Sequence, residues 1–463
     1  MTDTLQTISP VDGSIYAERP LESAAGIDRA LELAQGSQAA WAALPLAERC
    51  KTLGKAVDTF VAKANEIATE LTWQMGRPIR YTPSEVRGFE ERARYMLELA
   101  PRALAPIQPS EKVGFRRQIK RVPLGVVAVV APWNYPYLTA VNAVIPALIA
   151  GNAVVLKHSH QTPLCAERFL EAFAAAGVPR GVFQYLHLSH HDTARLMGDS
   201  RIANVCFTGS VSGGRAVVAA TARGFATAGL ELGGKDPAYV RADANLAHAI
   251  DSLTDGAFFN SGQSCCGIKR IYVDASRYDE FVSGVVDLAE KYRLGSPLDP
   301  ETTLGPVVRT SSADAVRMQV AEALARGARQ LIDESRFAAS AAGTPYLAPQ
   351  VLVNVDHSMA IMREETFGPA VGIMKVAGDD EAVRLMNDSE FGLTAAIYST
   401  DDARAETLGD RLETGTVFLN RCDYLDPALA WTGVKNSGRG CTLSSVGFEQ
   451  LTRPKSYHFK VTL

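Results

Sequence analysis

Two adjacent cysteines are the residues in this chain best suited to covalent chemistry. Cys265 and Cys266 lie in the stretch FFNSGQSCCG, residues 258–267. The thiolate is the nucleophilic form of cysteine, but a thiol with the ordinary pKa of about 8.5 is mostly protonated at neutral pH and needs a base or a positively charged environment. Because neighbouring side chains in a strand or helix point in different directions, we expect one thiol to face a pocket and the other to pack in the interior.

The use of cysteine and of charge limits the class of protein. The seven cysteines are an odd number without a CxxC pair, which is typical of a reducing compartment and not of a disulfide framework or a structural metal site. The net charge of −4 provides no basic surface of the kind that nucleic-acid binding needs. The first residues, MTDTLQTISPVDG, resemble neither a signal peptide nor a membrane helix. We therefore expect a cytoplasmic protein without nucleic-acid, membrane or metal partners.

The hydrophobic pattern predicts an α/β protein with more than one domain. A chain of 463 residues is too long for one compact core. Residues 21–103 repeat apolar side chains at helical spacing, whereas from residue 126 short Val- and Ile-rich runs alternate with helical runs. This alternation is typical of an open parallel sheet covered by helices on both faces. A second alternating series follows the stretch LELGGKDPAYV and predicts a second α/β domain.

Two further segments, 112–124 and 451–463, alternate polar and bulky residues like exposed strands. Unpaired strand edges are a liability for a monomer, so we expect these segments to pair subunits. The expected assembly is a homodimer or a homotetramer.

Glycine-rich turns at strand ends are candidate phosphate sites, because open parallel sheets bind dinucleotides where strand ends meet helix N-termini. The fingerprint G-x-G-x-x-G is absent from residues 126–232. In its place FTGSVSGG puts Gly209 and Ser210 at the end of a predicted strand, and Lys157 closes the strand AVVLK. Small residues also serve simple strand-to-helix turns, and a lysine at a strand end is usually solvated, so neither signal is specific by itself.

Taken in order, seven motifs resemble the aldehyde dehydrogenase family over nearly the whole chain. They are APWNYP at 131–136, KHSHQTP at 157–163, FTGS at 207–210, LELGGKDP at 230–237, GQSCC at 262–266, EETFGP at 364–369 and GVKNSGRG at 433–440. One motif of this length can arise by chance, but seven in the family order are specific. The resemblance implies oxidation of an aldehyde to an acid with a nicotinamide cofactor, NADP or NAD.

The resemblance also implies a division of the chain into three parts. We expect a Rossmann-like NAD(P)-binding domain at 1–111 and 125–232, a catalytic domain at 233–440, and a small oligomerisation ribbon at 112–124 and 451–463.

The resemblance implies roles for three catalytic residues. The family nucleophile is the Cys of the Gly-Gln-x-Cys turn, here Cys265, which leaves Cys266 as its packing neighbour. A thiolate that adds to the aldehyde carbon splits one difficult oxidation into two easier steps. Glu231 matches the base that activates water to cleave the resulting thioester. Asn134 matches a donor to the oxygen that becomes negative, together with the backbone N–H of Cys265, although without the other motifs it is equally well explained as a turn residue.

The family residues that contact the cofactor also have counterparts. Glu365 and Phe367 match residues that hold the nicotinamide ribose and flank its ring, Lys157 matches an adenosine-ribose contact, and Ser210 matches a pyrophosphate contact. The full set of expected cofactor-binding residues is Trp133, Lys157, Ser159, His160, Gly209, Ser210, Leu232, Glu365 and Phe367.

Three positions depart from the family pattern. Many members have a Glu where this chain has His160, and that carboxylate binds the ribose hydroxyls and repels a 2′-phosphate, so its absence weakens the case for strict NAD use. Many members have a Lys at the position of Ala143, and some have a Glu at that of Ser445. In those relatives the Lys and the Glu form a proton relay behind the catalytic Glu. Both are absent here, so the proton of Glu231 must leave by another route, such as water.

The sequence leaves the substrate open. Tyr137, Phe259 and Trp431 would suit an apolar or aromatic aldehyde, and Arg421 is a candidate for binding a substrate carboxylate. Other functions also remain: a cofactor-independent thiol esterase or hydrolase, a non-catalytic scaffold with the same fold, and an acyl-CoA-forming dehydrogenase, whose thioester a base at Glu231 would expose to water.

Overall fold

The computed structural model describes residues 3–462. Four helices follow one another between residues 24 and 103, and strands and helices alternate from residue 126, as the sequence predicts. The α-helices are α1 (Ala24–Ala43), α2 (Leu46–Val61), α3 (Ala64–Met75), α4 (Pro83–Ala103), α5 (Pro136–Ala150), α6 (Leu164–Ala175), α7 (His190–Met197), α8 (Val211–Thr221), α9 (Leu246–Phe258), α10 (Tyr278–Ala289), α11 (Thr310–Ala325), α12 (Ala360–Arg363), α13 (Asp379–Asn387), α14 (Asp402–Gly409) and α15 (Ser444–Gly447). Short 3₁₀ helices occupy Phe259–Gly262, Glu334–Arg336 and Glu449–Leu451. None of the helices in the described range is long and apolar enough to cross a bilayer.

The strands form two large sheets and three small pairs. They are β1 (Thr4–Ile8), β2 (Ile15–Pro20), β3 (Phe115–Pro123), β4 (Val126–Ala131), β5 (Ala153–His158), β6 (Phe183–Tyr185), β7 (Ile202–Thr208), β8 (Thr227–Glu231), β9 (Asp236–Val240), β10 (Ile268–Asp274), β11 (Arg329–Gln330), β12 (Gln350–Val353), β13 (Ala370–Val376), β14 (Phe391–Gly392), β15 (Thr394–Tyr398), β16 (Thr416–Leu419), β17 (Val434–Lys435), β18 (Gly438–Arg439) and β19 (Thr452–Lys460).

The first large sheet has the strand order β18-β8-β7-β4-β5-β6, and all its strands are parallel except β18 at the edge. Alternate residues of β4 enter different cores. Val127 and Val129 pack with helices α2 to α6, whereas Val126 and Ala128 pack with α1, α7 and α8. A parallel strand buried on both faces needs such a continuous apolar run, which is why the sequence signal for this sheet is strong.

The second large sheet has the order β11-β12-β13-β10-β9-β15-β16 and is parallel except for β11. Helices α9 and α10 cover one face, and α11 to α14 cover the other. Ala238 and Ile271 face the first of these layers, while Tyr239 and Tyr272 face the second. The predicted α/β class with open parallel sheets is confirmed.

The two segments predicted as exposed strands pair with each other. β3 and β19 form an antiparallel ribbon whose register runs from Phe115 opposite Lys460 to Pro123 opposite Thr452. Residue 463, the end of the predicted segment, lies outside the described residues. The subunit contacts expected for this ribbon stay a prediction.

Two local features differ from the sequence prediction. The antiparallel hairpin of β1 and β2 was not predicted, because only alternate residues such as Leu5 and Thr7 are buried and no apolar run marks the strands. The helical pattern at 47–75 is broken between α2 and α3. Lys63, with φ −98° and ψ 15°, turns the chain there without a glycine or a proline to signal it.

Candidate active site

Parallel strands bring predicted site residues to one edge of the first sheet. Because β4, β5, β7 and β8 run in the same direction, their carboxyl ends lie together. Asn134 follows β4, Lys157 lies near the end of β5, Ser210 follows β7, and Glu231 ends β8. Cys265 precedes β10 of the second sheet. The candidate site therefore lies where this sheet edge meets the turn before β10.

The turn that precedes Cys265 has a left-handed backbone. Asn260 and Ser261 have φ values of 53° and 54°, and Gly262 has a φ of 69°. Residues other than glycine adopt this region only when their contacts hold them there. A Cβ at Gly262 would overlap the backbone carbonyl of Gly368, so the position admits only glycine.

Arg77 is a buried cation that fixes this turn beside Asn134. Its guanidinium donates to Asn260 Oδ1 at 2.9 Å, to Glu85 Oε2 at 2.6 Å and to the backbone carbonyl of Asn134. It also lies 4.6 Å from the ring centre of Tyr135. The Arg77 and Glu85 side chains are 1% and 0% exposed, so the ion pair is shielded from water and its geometry is restricted. No local sequence pattern signals Arg77, because Asn134 and Asn260 lie 57 and 183 residues away.

Asn134 itself is buried against the turn. Its Nδ2 donates to the backbone carbonyl of Gln263 at 3.2 Å, two residues before Cys265. A primary amide has two N–H groups, so the second can donate to another oxygen atom. This placement suits a donor to the oxygen of a group attached to Cys265.

Different environments surround the two cysteines. Cys265 is partly exposed, whereas Cys266 is buried and its Sγ donates to Asp423 Oδ1 at 2.8 Å. Hydrogen bonding with Cys265 and burial raise the pKa of Cys266 well above its ordinary value, so Cys266 stays a thiol. Ser264 Oγ donates to the same carboxyl group at 3.2 Å. Cys266 therefore does more than fill space, because it positions Asp423.

Glu231 lines the same cavity as Cys265. This cavity has a volume of about 750 Å³, and we call it the thiol cavity. Thr442 Oγ1 donates to Glu231 Oε1 at 2.6 Å, and Thr208 Oγ1 donates to Oε2 at 3.2 Å. Burial raises the pKa of Glu231 above its ordinary value, although the two hydroxyl groups oppose the shift. A raised pKa suits a carboxylate that accepts a proton near neutral pH.

A small pocket lies behind Glu231. Its volume is about 20 Å³, and Ala143, Cys206, Cys441 and Thr442 are among the residues that line it. A buried water needs roughly 10 to 15 Å³ of such space. The pocket therefore has room for one water molecule between Glu231 and Ala143.

Gly233 and Gly234 pass between Cys265 and Glu365. A Cβ at Gly234 would overlap the backbone carbonyl of Cys265, and a Cβ at Gly233 would lie 2.5 Å from Glu365 Oε1. The Gly234 N–H donates to Glu365 Oε1 at 3.1 Å, and burial raises the pKa of this carboxyl group. The two glycines thus allow Cys265 and Glu365 to lie on opposite sides of a single backbone segment.

Lys157, Ser159 and His160 share a second cavity, of about 920 Å³, at the end of β5. Lys157 is 6% exposed, and within residues 3–462 its Nζ has no hydrogen-bond or carboxylate partner. Burial lowers the pKa of Lys157 to about 8. A buried ammonium group without a partner is costly, so this one suits a hydroxyl or phosphate oxygen of a ligand. His160 Nε2 donates to the Leu188 carbonyl at 2.6 Å, and burial lowers the His160 pKa.

The other predicted cofactor contacts lie outside this second cavity. Ser210 begins helix α8, and its Oγ accepts from the Gly213 N–H at 3.1 Å. Gly209 donates its N–H to the Glu231 carbonyl at 3.0 Å, and Leu232 is buried beside Gly214. Trp133 and Phe367 meet edge to face, with ring centres 5.6 Å apart.

Two residues predicted for the substrate side lie elsewhere. Tyr137 is 1% exposed and packs in the core, with its ring centre 4.9 Å from that of Phe60, because its face of α5 points to α2 and not to the thiol cavity. Arg421 is exposed, stacks on a tyrosine ring at 4.1 Å and does not line the cavity. Phe259 and Trp431 do line it.

Sequence reasoning missed several polar residues that line the thiol cavity, among them Arg92 on α4, Asn142 on α5 and Asp423. Only α4 has a sequence pattern that could have indicated these residues. Ser84, Arg87, Gly88, Glu91 and Arg92 recur at the spacing of one helix face, and all five line the cavity. Within residues 3–462, no group of three or more His, Cys, Asp or Glu side chains is arranged to hold a metal ion.

The fold and the site together define an α/β oxidoreductase with a buried cysteine turn, and comparisons with known proteins agree. The sequence profile of the aldehyde dehydrogenase family matches residues 1–457. The succinate semialdehyde dehydrogenase [NAD(P)+] Sad of Escherichia coli strain K12 is 35% identical over 447 residues, covering 96% of this chain and 95% of the relative. The succinate-semialdehyde dehydrogenase [NADP(+)] of Deinococcus radiodurans is 33% identical over 449 residues, covering 97% and 93%.

Solved structures show the same similarity. The succinic semialdehyde dehydrogenase of Streptococcus pyogenes in complex with NADP+ matches with a TM-score of 0.93 at 28% identity, over 98% of this chain and 100% of the other. PnpE in complex with nicotinamide adenine dinucleotide matches with a TM-score of 0.94 at 30% identity, over 100% and 95%.

The chain belongs to the aldehyde dehydrogenase family. It is an NAD(P)-dependent enzyme that oxidises aldehydes, as the seven motifs predict. The esterase and scaffold alternatives are not favoured.

Proposed function

We propose that the natural substrate is a short aldehyde with a carboxylate at its other end, and succinate semialdehyde is the first compound to test. Two relatives that match nearly the whole chain act on succinate semialdehyde by name. The thiol cavity supports the proposal, because charged and polar side chains line it together with Phe259 and Trp431. The aromatic residues alone would favour an apolar aldehyde. The charged and polar side chains of the lining fit an aldehyde with a polar end better.

We further propose that Cys265 is the nucleophile. Its thiolate adds to the aldehyde carbon, and the second N–H of Asn134 and the backbone N–H of Cys265 stabilise the oxygen that becomes negative. After oxidation, Glu231 takes a proton from the water that cleaves the Cys265 thioester, and the acid leaves. The observation that supports this assignment best is that Cys265 and Glu231 line one cavity, with the Asn134 amide held beside the turn that presents the thiol.

The residues around the two glycines and at the end of β5 fit a nicotinamide cofactor. Lys157 offers an unpaired ammonium group to ribose or phosphate oxygens. Ser210 caps the N-terminus of α8, and the free backbone N–H groups of a helix N-terminus suit a pyrophosphate. Glu365 lies across the glycine segment from Cys265. When bound, the cofactor supplies the hydride acceptor for the oxidation.

Steady-state kinetics test the proposed substrate and nucleophile. Wild-type enzyme should have a higher kcat/KM for succinate semialdehyde than for butanal, its uncharged analogue, with NAD or NADP. Cys265→Ala should abolish formation of reduced nicotinamide, whereas Cys266→Ala should retain most of it. Loss of activity in Cys266→Ala with Cys265 still open to alkylation would contradict the assignment of the nucleophile.

We also propose the domain limits expected from the sequence, with residues 1–111 and 125–232 binding the cofactor and 233–440 carrying the nucleophile. All strands of the second large sheet come from residues 233–440, which supports this division, while β18 of the same range joins the edge of the first sheet. The ribbon of β3 and β19 is proposed as a subunit contact in a homodimer or homotetramer, and the odd, unpaired cysteines support a cytoplasmic location.

A further inference from the structure

The thiol cavity contains a buried arginine, Arg92, that forms no ion pair with any of the described residues. Arg92 is 8% exposed. Its Nη1 donates to the Leu138 carbonyl at 2.7 Å and to Asn142 Oδ1 at 3.3 Å. Within residues 3–462, no carboxylate lies within 4.0 Å of the guanidinium, and Nε and Nη2 have no acceptor. Burial removes the hydration of this cation, and no ion pair compensates for the lost free energy.

Asn142 provides a second donor without a partner at the same place. Its side chain is 2% exposed and lines the thiol cavity. Oδ1 faces Arg92, while the buried Nδ2 has no hydrogen-bond partner. The orientation of the amide is set by chemistry, because turning it would place two donors against each other. Arg92 and Asn142 therefore offer only N–H groups to the cavity, which is the complement of an anionic oxygen pair.

The other charged residues on the cavity do not serve this purpose as well. Arg87 lies on the same face of α4 but is exposed, so water solvates its charge. Three exposed carboxylates on the cavity wall repel an anion: Glu91, Asp251 and Asp255. Asp423 also lines the cavity and accepts hydrogen bonds from Ser264 and Cys266. Glu231 already accepts hydrogen bonds from two threonine hydroxyls and forms no ion pair with Arg92. An anion that enters the cavity gains most at its buried end, beside Arg92.

We propose that Arg92, oriented by Asn142, binds the carboxylate of the substrate while Cys265 attacks the aldehyde at the other end. This inference rests on the proposed function, since it requires a substrate that carries a carboxylate. It makes Arg92 and Asn142 the residues that determine specificity for acidic aldehydes. The planar guanidinium can donate two parallel hydrogen bonds to a carboxylate from the groups that are free in the structure.

The test compares two four-carbon aldehydes, succinate semialdehyde and butanal, across three variants. Arg92→Leu should lower kcat/KM for succinate semialdehyde by about 100-fold, mainly through KM, and that for butanal by less than about threefold. Arg92→Lys should fall between wild type and Arg92→Leu, because it retains the charge but not the fork. Arg94→Leu, a control at an exposed residue of the same helix that does not line the cavity, should change both values by less than about threefold.

The possible failures are distinguishable. If the wild type shows no preference for succinate semialdehyde over butanal, the proposed substrate is wrong. If the wild type has that preference and Arg92→Leu keeps it, only the role of Arg92 is wrong. Equal losses on both aldehydes, or a changed pH profile with butanal, would instead make Arg92 a positioning residue for Glu231. Turnover of butanal also verifies that Arg92→Leu is folded.

Discussion

At Glu231, burial and hydrogen bonding act on one carboxyl group in opposite directions. Burial raises its pKa, whereas the hydroxyl groups of Thr442 and Thr208 stabilise the charged form and lower it. The proposed base must be ionised to accept a proton from water, so activity should fall as pH drops through the raised pKa. Thr442→Val removes the shorter hydrogen bond and should move this acidic limb of the kcat profile to higher pH. A limb that stays in place or moves to lower pH would contradict this account.

Replacing Glu231 by glutamine should separate oxidation from hydrolysis. The amide keeps the shape but cannot accept a proton, so the acyl group should accumulate on Cys265. Rapid mixing with aldehyde and cofactor should show a burst of reduced nicotinamide that approaches one per active site, followed by a slow steady rate. Intact-mass analysis should find the adduct. A variant with normal cofactor binding but neither burst nor adduct would place Glu231 earlier, as the base for the thiol. Full steady-state turnover would remove it from the mechanism.

The tautomer of His160 links cofactor choice to pH. Since Nε2 donates to the Leu188 carbonyl, a neutral His160 can offer only an acceptor at Nδ1. A 2′-phosphate therefore requires the charged imidazolium, whose formation burial and Lys157 disfavour by lowering the His160 pKa. The ratio of kcat/KM for NADP to that for NAD should fall as pH rises through the lowered His160 pKa, below about 6.5, and should stay level at higher pH. His160→Glu should lower the ratio at every pH. A ratio that is constant with pH and unchanged in the variant would show that His160 does not contact the phosphate.

The residues of the candidate site differ in how visible they are in the sequence. Cys265, Glu231 and Asn134 each lie in a short contiguous motif, so a resemblance could locate them. Arg92 and Asn142 meet only because α4 packs on α5, and no spacing in the sequence encodes that contact. Tyr137 was misplaced for the same reason, since the direction of a helical side chain depends on the rotation of the helix against its neighbours.

Among the elements, the catalytic turn depends on the segment that precedes α4. Arg77→Met would leave Glu85 buried without its cation and would free Asn260 and the Asn134 backbone. Removing one partner of a buried ion pair costs about 3 to 5 kcal/mol, so the melting temperature should fall, and kcat should fall more than KM rises because the turn is no longer held.

Arg80→Met is the matched control for this variant. Arg80 is exposed three residues further along and should tolerate the change within about 0.5 kcal/mol. Thermal denaturation and steady-state kinetics of both variants provide the measurements. Wild-type kcat in Arg77→Met would show that the turn holds its shape without the hydrogen bonds of Arg77.

Helices and strands were predictable where one physical signal dominated. The apolar runs of β4, β5 and β7 and the helical periods between them sufficed for the first sheet, because burial on both faces demands them. The sequence did not predict the hairpin of β1 and β2 or the break after α2, since their positions depend on packing against distant parts of the chain.

For the molecule as a whole, the ribbon of β3 and β19 predicts an assembly. Phe459 is 41% exposed and Val461 is 63% exposed on or next to β19. Sedimentation should give a multiple of the 49.7 kDa protomer mass for the wild type. Phe459→Arg combined with Val461→Arg should shift the protein toward the protomer, whereas Met318→Arg, at an exposed site on α11, should not. A wild-type protein that sediments as a protomer would contradict the prediction.

The bare backbone at Gly233 and Gly234 has a consequence for traffic through the enzyme. The cavity beside Cys265 and the cavity beside Lys157 share no lining residue, so each has its own entrance. Near the centre, only the thickness of one peptide separates Cys265 from Glu365. A ligand in the thiol cavity and a ligand in the cavity beside Lys157 can therefore enter and leave independently of each other. A methyl group at Gly234 would collide with the Cys265 carbonyl, and one at Gly233 would collide with the Glu365 carboxyl group, so alanine at either position would push these groups apart.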